Sequence, residues 1–477
     1  MSKSTVETPA PAISELEQRR QLVRSIMGGS ATMRKPEYLP RYPAEDMPDY
    51  KARVDRTFLD NFVSMAVEKA TGKIFAKEIH VDGLPTETEK LIDNIDRQGC
   101  ALNPFMLDVA RSAFVDGISY VMADMPRTDN VVTLADEKAA GVRPYAIHVK
   151  ACCVLEVLSE MVDGIDTLTR VRIKEEICVP VSGSWDYTEI EQVRVWIREP
   201  SGLIRWELWR EIEDSRDEDK FVLVDEGATT FKEIYLVPYY TNRTGFMLGA
   251  PPFQNIAESN LEHFQLKSDY QAALEMCNFS MYFATGVQAV DGGAYVVKVG
   301  PRQSLSSPQP EAKFGVLETT GVGVGLTLAA IAAVEARIEC AGVNLRVENA
   351  GNVTATAAAI DSEDTNCALK AIAKGFGDST ERLFEIFAEM QGLDKADAGE
   401  ACFNDDFGTA KGTPQGLTSL DKARALGDIS REAYLRELVR RGELSEDFDC
   451  MADAELLASE APDMSAIMTV QKSGVVV

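Results

Sequence analysis

Between Tyr38 and Phe75 the chain runs YLPRYPAEDMPDYKARVDRTFLDNFVSMAVEKATGKIF, and no other stretch limits its conformation so tightly. Pro40 and Pro43 hold φ at about −65° and keep the lead-in extended. Asp46 stands where a helix N-cap belongs, and Pro48 falls in the first turn, where a missing N–H does no harm. Val54, Phe58, Phe62 and Met65 then recur at helical spacing, while Lys51, Arg53, Arg56 and Glu68 lie largely off that face. The pattern predicts one long amphipathic helix closed by Gly72, with those four apolar residues packed inside.

At 477 residues the chain is longer than a single core supports, so two or more subdomains are expected. A hydrophobic content of 45% with 26% charged residues suits a folded protein. The net charge of −27, from 76 acidic and 49 basic residues, argues against a protein that grips DNA, because such grip comes from Lys and Arg neutralising phosphates. It is compatible with a conduit whose like-charged wall keeps a polyanion from adhering, and equally with acidity that serves solubility. The nine cysteines are scattered, odd in number and follow no signal peptide, which predicts reduced, buried thiols of a cytosolic product. Adjacent Cys152 and Cys153 are expected on opposite sides of a strand. The longest uncharged apolar stretch, Thr319 to Val334, is shorter than the ~20 residues of a membrane span, so no insertion is expected.

Along the chain, a tail to about Pro11 precedes a helix from Ile13 to Met27 that stops at Gly28-Gly29. Glu87–Asp96 and Pro104–Phe114 have helical spacing, and Gly117 leads into a strand-like run, Ile118–Met122. From Arg143 to Tyr240 the period shortens to two, at Val171 and Ile173, then Val193 to Ile197, Ile204 to Trp209, Phe221 to Val224 and Ile234 to Val237. Turns at Pro180–Trp185 and Pro200–Gly202, and a charged hairpin tip at Ile212–Lys220, separate these runs. An antiparallel β region inside a helical protein follows. From Gln254 the helical period returns, with Ile256, Leu261, Phe264, Leu274, Cys277 and Met281 predicting a helix that ends near Gly286. Short strands at Tyr295–Val299 and Phe314–Leu317 and a second helix, Leu326–Cys340, come next. Asn344–Val353 is a loop, Thr354–Glu389 is mostly helical and Gly392–Gly416 is loop-like. Ser430 caps a helix to Arg441, Gly442 ends it, and an acidic helix spans Ala452–Glu460.

No catalytic, cofactor or metal site emerges, and the chain is not expected to be an enzyme. Gly321, Gly323 and Gly325 miss the dinucleotide fingerprint by one position. Asp406-Phe407-Gly408 lacks the rest of a kinase signature, and Gly72-Lys73 is followed by Ile74 rather than Ser or Thr, so no phosphate-binding loop forms. The three histidines, His80, His148 and His263, are far apart and no two cysteines have C-x-x-C spacing. Asp361, Glu363 and Asp364 are explained as a first-turn acidic cluster favoured by the helix dipole.

Tyr38, Leu39, Pro40, Arg41, Pro43, Glu45 and Asp46, with the helix behind them, resemble the N-terminal signature of a tailed-bacteriophage portal family long carried as a phage domain of unknown function. The tail, through Ile429, Ser430, Glu432, Leu435, Glu455 and Glu460, is similar to a crown ending shared by several portals. The resemblance implies an α+β, portal-like protomer with a helical and β wing, a two-helix stem, a small α/β clip and a helical crown, closing into a ring of about twelve copies around a DNA channel. On that template, residues 1–30 are a tail and first helix, 31–253 the wing with a β-rich part at 143–240, 254–285 a stem helix, 286–325 the clip and 326–341 the second stem helix. Residues 342–415 hold the tunnel loop and channel helix, with Asn349, Asn352 and Thr354 as candidate channel-loop residues, and 416–477 form the crown and C-terminal tail. The partners implied are further copies of the chain, the terminase large subunit, a head-tail adaptor, major capsid and scaffolding proteins, and double-stranded DNA passing non-specifically along an acidic wall. The implied location is the capsid vertex, reached from the host cytoplasm, with no membrane and no cofactor. Another virion structural protein, a head-tail connector or minor capsid component, is the alternative.

Overall fold

The computed structural model describes residues 5–126, 141–181, 183–211, 221–278, 281–285, 310–317, 321–341, 355–395, 398–405, 407, 414–440, 443–444, 448 and 450–460. They fall into two compact units, residues 1–405 and 406–477.

The first unit opens with α1 (Pro11–Met27) and α2 (Gly29–Met33), then α3 (Met47–Arg56) and α4 (Phe62–Ile74). The expected single helix is thus two. Thr57 leaves helical geometry, with φ −83° and ψ 125°, and its hydroxyl turns back to the Arg53 carbonyl at 2.8 Å. Asn61 starts the second helix by accepting from Ser64 N–H at 2.8 Å while its own amide donates to Ile26 O at 2.7 Å. The break rotates the apolar face. Phe58 and Met65, expected inside, are 59% and 49% exposed, and α4 buries Val63, Ala66, Val67, Ala70 and Ile74 instead. Gly72 lies within α4 rather than at its end.

After β1 (His80–Asp82), α5 (Thr86–Ile92) and α6 (Leu102–Asp116), the chain reverses at Gly117 into β2 (Ile118–Asp124). Gly117 has φ 86°, and a Cβ there would sit 2.0 Å from the Ala250 carbonyl oxygen, so only glycine fits the turn. β2 runs between β3 (Tyr145–Val149) and β9 (Leu236–Tyr240) in a three-stranded antiparallel sheet and is buried almost throughout. Between β3 and β9 lies a five-stranded antiparallel meander, β4 (Val154–Val162), β5 (Ile165–Pro180), β6 (Tyr187–Arg198), β7 (Ile204–Glu211) and β8 (Phe221–Thr229). Its register aligns Val171, Trp196 and Trp206 on one face, where they join Ile118, Tyr120, Met122 and Leu236 in a shared core. The opposite face holds a smaller cluster, Leu155, Val193, Val195 and Phe221, with Val6 of the N-terminal segment against it. Beyond Glu176 and Glu191, β5 and β6 continue alone as a two-stranded ribbon. The period-two reading of this region holds, although it missed β3 and β4.

Past the short β10 (Arg243–Gly245) and β11 (Leu248–Gly249), α7 (Gln254–Asn278) is 25 residues long. It stops before the predicted end because Met281–Thr285 is a strand, β12, paired antiparallel with β13 (Lys313–Leu317). α8 (Val322–Cys340) then returns along α7, so helix, ribbon and helix form one hairpin. α9 (Ala355–Met390) is 36 residues long. The stretch expected to be loop after it contains β14 (Glu400–Cys402), which pairs with β1. The predicted strand Tyr295–Val299, the hairpin tip 212–220 and the loop 344–353, with the candidate residues Asn349, Asn352 and Thr354, lie outside the described residues.

The second unit contains α10 (Pro414–Leu426), α11 (Arg431–Arg440) and α12 (Cys450–Glu460). Ser430 caps α11 as predicted, its hydroxyl accepting from Ala433 N–H at 3.0 Å.

Candidate functional site

The proline-led segment and Arg53 form a polar clamp against the middle of α7. Arg53 was expected on the solvent side of its helix. It is buried instead, and the reason is its set of partners. Its Nε and Nη2 donate to both oxygens of Glu45 at 2.7 and 2.8 Å, Nη2 also donates to Pro40 O at 2.8 Å, and Nη1 donates to the Ser268 hydroxyl of α7 at 3.1 Å. The guanidinium lies 4.0 Å from the centre of the Tyr42 ring and 5.5 Å from that of Tyr50. A buried guanidinium with both a forked carboxylate and further acceptors is what a folded interior tolerates.

The lead-in is fastened to α7 at further points. Gln265 donates to Tyr38 O at 2.9 Å, the Tyr42 hydroxyl donates to Asp269, and Lys267 pairs with Asp60. Asn260 accepts from Phe62 N–H at 3.0 Å and donates to Asp60 O at 2.8 Å. Tyr50 donates to Leu39 O at 2.9 Å. The hydrogen bonds from Arg53 hold Glu45 below the usual carboxylate range, and Glu45 in turn raises the Arg53 guanidinium. Burial, then the bond to Asp269, pushes the Tyr42 hydroxyl up to about 12. Of the residues carrying the family resemblance, Tyr38, Leu39, Pro40 and Glu45 build the clamp. Arg41, Pro43 and Asp46 are exposed, and Asp46 occupies the N-cap position without a side-chain capping bond.

α8 lies on α7 through Ile331, Val334 and Ile338. Arg337 pairs with Glu262, and the His263 ring, buried edge-on against Phe62 at 5.0 Å, reaches Glu335 at 3.4 Å. Leu326, Leu328, Ala332, Ala333 and Ala336 of α8 face solvent. From Val322 to Val334 the helix carries no charge. An apolar helix covered along one stripe is incomplete as a surface.

Elsewhere, Gly321 precedes α8 in left-handed geometry with φ 67°, while Gly323 and Gly325 lie inside the helix. Asp361, Glu363 and Asp364 are within α9 rather than in its first turn. Among the described residues no group of His, Cys, Asp and Glu is arranged to hold a metal ion. One pair escaped the sequence reading: the Ser119 hydroxyl and His148 Nε2 are 2.8 Å apart, brought together by the β2–β3 pairing. Ser119 is fully buried, and desolvation lowers His148 to about 4, so the pair closes a hydrogen bond inside the core.

The cysteines depart from the expected burial. All nine are free thiols, none is fully buried, and Cys152, Cys178, Cys340, Cys367 and Cys402 are exposed. Cys152 and Cys153 occupy a 3-10 turn, Ala151–Cys153, not a strand, and their sulfurs are 3.8 Å apart.

A family model described as a domain of unknown function (DUF4055) matches residues 252–391, from just before α7 to just after α9. The Tyr38–Phe75 segment lies outside that match. No curated protein matches the sequence. Among solved structures, the chain is similar to a chain in the neck of a native GTA particle computed with C12 symmetry, with TM-score 0.43 and 11% identity over 79% of this chain and 89% of that one. It is also similar to a chain in the virion of a native gene transfer agent particle, with TM-score 0.42 and 11% identity over 88% and 99% of the two chains. Scores of this size mark a distant likeness from which no function follows.

Proposed function

We propose that this chain is the portal subunit of a phage-like particle, forming a ring of about twelve copies through which double-stranded DNA enters and leaves a capsid. The observation that carries the reading is the hairpin of α7, β12, β13 and α8, clamped along α7 by the Tyr38–Glu45 signature and Arg53 and presenting an apolar α8 that its own chain covers along one stripe. Side-by-side copies would cover the remainder. The hairpin then serves as the stem, and the region around β12 and β13 as a clip to which the terminase large subunit and later the head-tail adaptor dock. With −27 per copy, the wall passes DNA without gripping it. On this reading the protein is not an enzyme, binds no cofactor and resides in the virion.

Mass photometry of the purified protein, with class averages from electron micrographs, tests the proposal. A species near twelve times 52.3 kDa with an axial hole is expected. A protein that stays monomeric at micromolar concentration rejects it. A ring without an open axial channel favours the alternative of a different head-tail connector.

A further inference from the structure

Cys152 and Cys153 stand apart from the other seven cysteines in being adjacent, and the 3-10 turn places their sulfurs 3.8 Å apart. The turn is held at both ends, because Ala151 and Val154 are buried in the core and the Cys153 side chain leans on it. Cys152 is thereby left exposed while Cys153 is half-buried. Three charged groups act on Cys152: Arg24 of α1 favours its thiolate, whereas Asp116 and Glu17 oppose it. Arg24 is fixed by Asp116 at 2.7 Å and by Glu17, and its Nη2 is buried with no hydrogen bond among the described residues. An exposed sulfur with a neighbouring S–H at contact distance has a donor that favours its thiolate. The Cys153 S–H first and Arg24 next lower Cys152, against burial and the Asp116 and Glu17 carboxylates, whereas the same sulfur contact pushes Cys153 up.

We propose that Cys152 and Cys153 form a redox modification site, in which Cys152 attacks a low-molecular-weight disulfide and Cys153 resolves the adduct. In the first step the Cys152 thiolate bonds to one sulfur of the small disulfide. That S–S bond breaks, and a thiolate departs and takes a proton from water. In the second step Cys153 loses its proton to water and attacks the Cys152 sulfur, expelling the other half of the small disulfide as a thiol. The protein loses two electrons, the small disulfide gains two and becomes two thiols, and a vicinal disulfide remains. The two sulfurs must close from 3.8 Å to about 2.05 Å, which requires the turn to rearrange and leaves the bond readily reducible. The site is independent of ring formation.

The test is exposure of the full-length protein to oxidised glutathione at neutral pH, followed by alkylation and peptide mass mapping. Cys152 is expected to react at least about tenfold faster than the exposed Cys178 and Cys402. In the wild type, the peptide holding both residues should lose two hydrogens and retain no glutathione, whereas Cys153→Ser should keep one glutathione on Cys152. Equal reaction across the exposed cysteines, or glutathione retained on Cys152 in the wild type, overturns the proposal. Both readouts use the unmutated chain, so a variant that fails to fold does not rescue it.

Discussion

The clamp and α8 touch the same helix, α7, and solve opposite problems. In the clamp, a buried guanidinium finds a forked carboxylate, a carbonyl and a hydroxyl inside one chain. On α8, apolar side chains that would be buried in a finished surface remain in solvent. The clamp completes a fold, whereas α8 leaves apolar surface uncovered. The difference implies that substitutions at the two places fail in different ways, one by unfolding the chain and the other by leaving it folded but alone.

The strongest way to break that contrast is Arg53→Met. It leaves Glu45 and the Pro40 carbonyl without their partner in a nearly closed site, and loss of one member of a buried pair costs about 3–5 kcal/mol. Thermal unfolding should show a large fall in Tm, and an unchanged Tm would mean the clamp is not structural. Next, Ile338→Ala empties part of the stripe between α8 and α7 and should cost about 2–5 kcal/mol by the same measurement. Ala333→Glu on the exposed side should change single-chain stability by no more than about 0.5 kcal/mol, yet abolish the high-mass species in mass photometry. A charged α8 that still assembles would place the neighbour elsewhere. Phe58→Asp should leave assembly intact and cost only about 0.5–1 kcal/mol of stability, for the ring is exposed and its described contact is the Arg34 guanidinium at 4.8 Å. The uninterrupted helix read from the sequence packs Phe58 inside, where an aspartate would be disruptive. The break at Thr57 removes the reason.

What was legible in the sequence were features whose causes are local. Ser430 caps α11 because its hydroxyl reaches an amide three residues on, Gly117 turns because its backbone is left-handed, and the meander shows because strands alternate every second residue. What was not legible depends on partners far along the chain. Arg53 looks solvent-facing until Ser268, 215 residues later, comes to meet it. Met281–Thr285 extends a helical pattern until Lys313–Leu317 arrives to pair with it. The clamp shows the same division, since its proline-led lead-in could be recognised as a unit while its attachment to α7 could not.

Acid sharpens the comparison with the smallest effect. Glu45 has its carboxyl held below the ordinary value by Arg53, so the folded chain binds that proton more weakly than the unfolded chain does. The stability this contributes is fully present above the unfolded carboxylate value, about 4.3, and is lost as pH falls through the lower folded value. Glu45→Gln cannot lose it, because it never has it. The Tm difference between wild type and Glu45→Gln should therefore be constant from neutral pH to about 5 and narrow steadily below that. A gap that stays constant down to pH 3 would mean that the Glu45 charge contributes nothing to the clamp, leaving shape and the neutral hydrogen bonds to hold Arg53 in place.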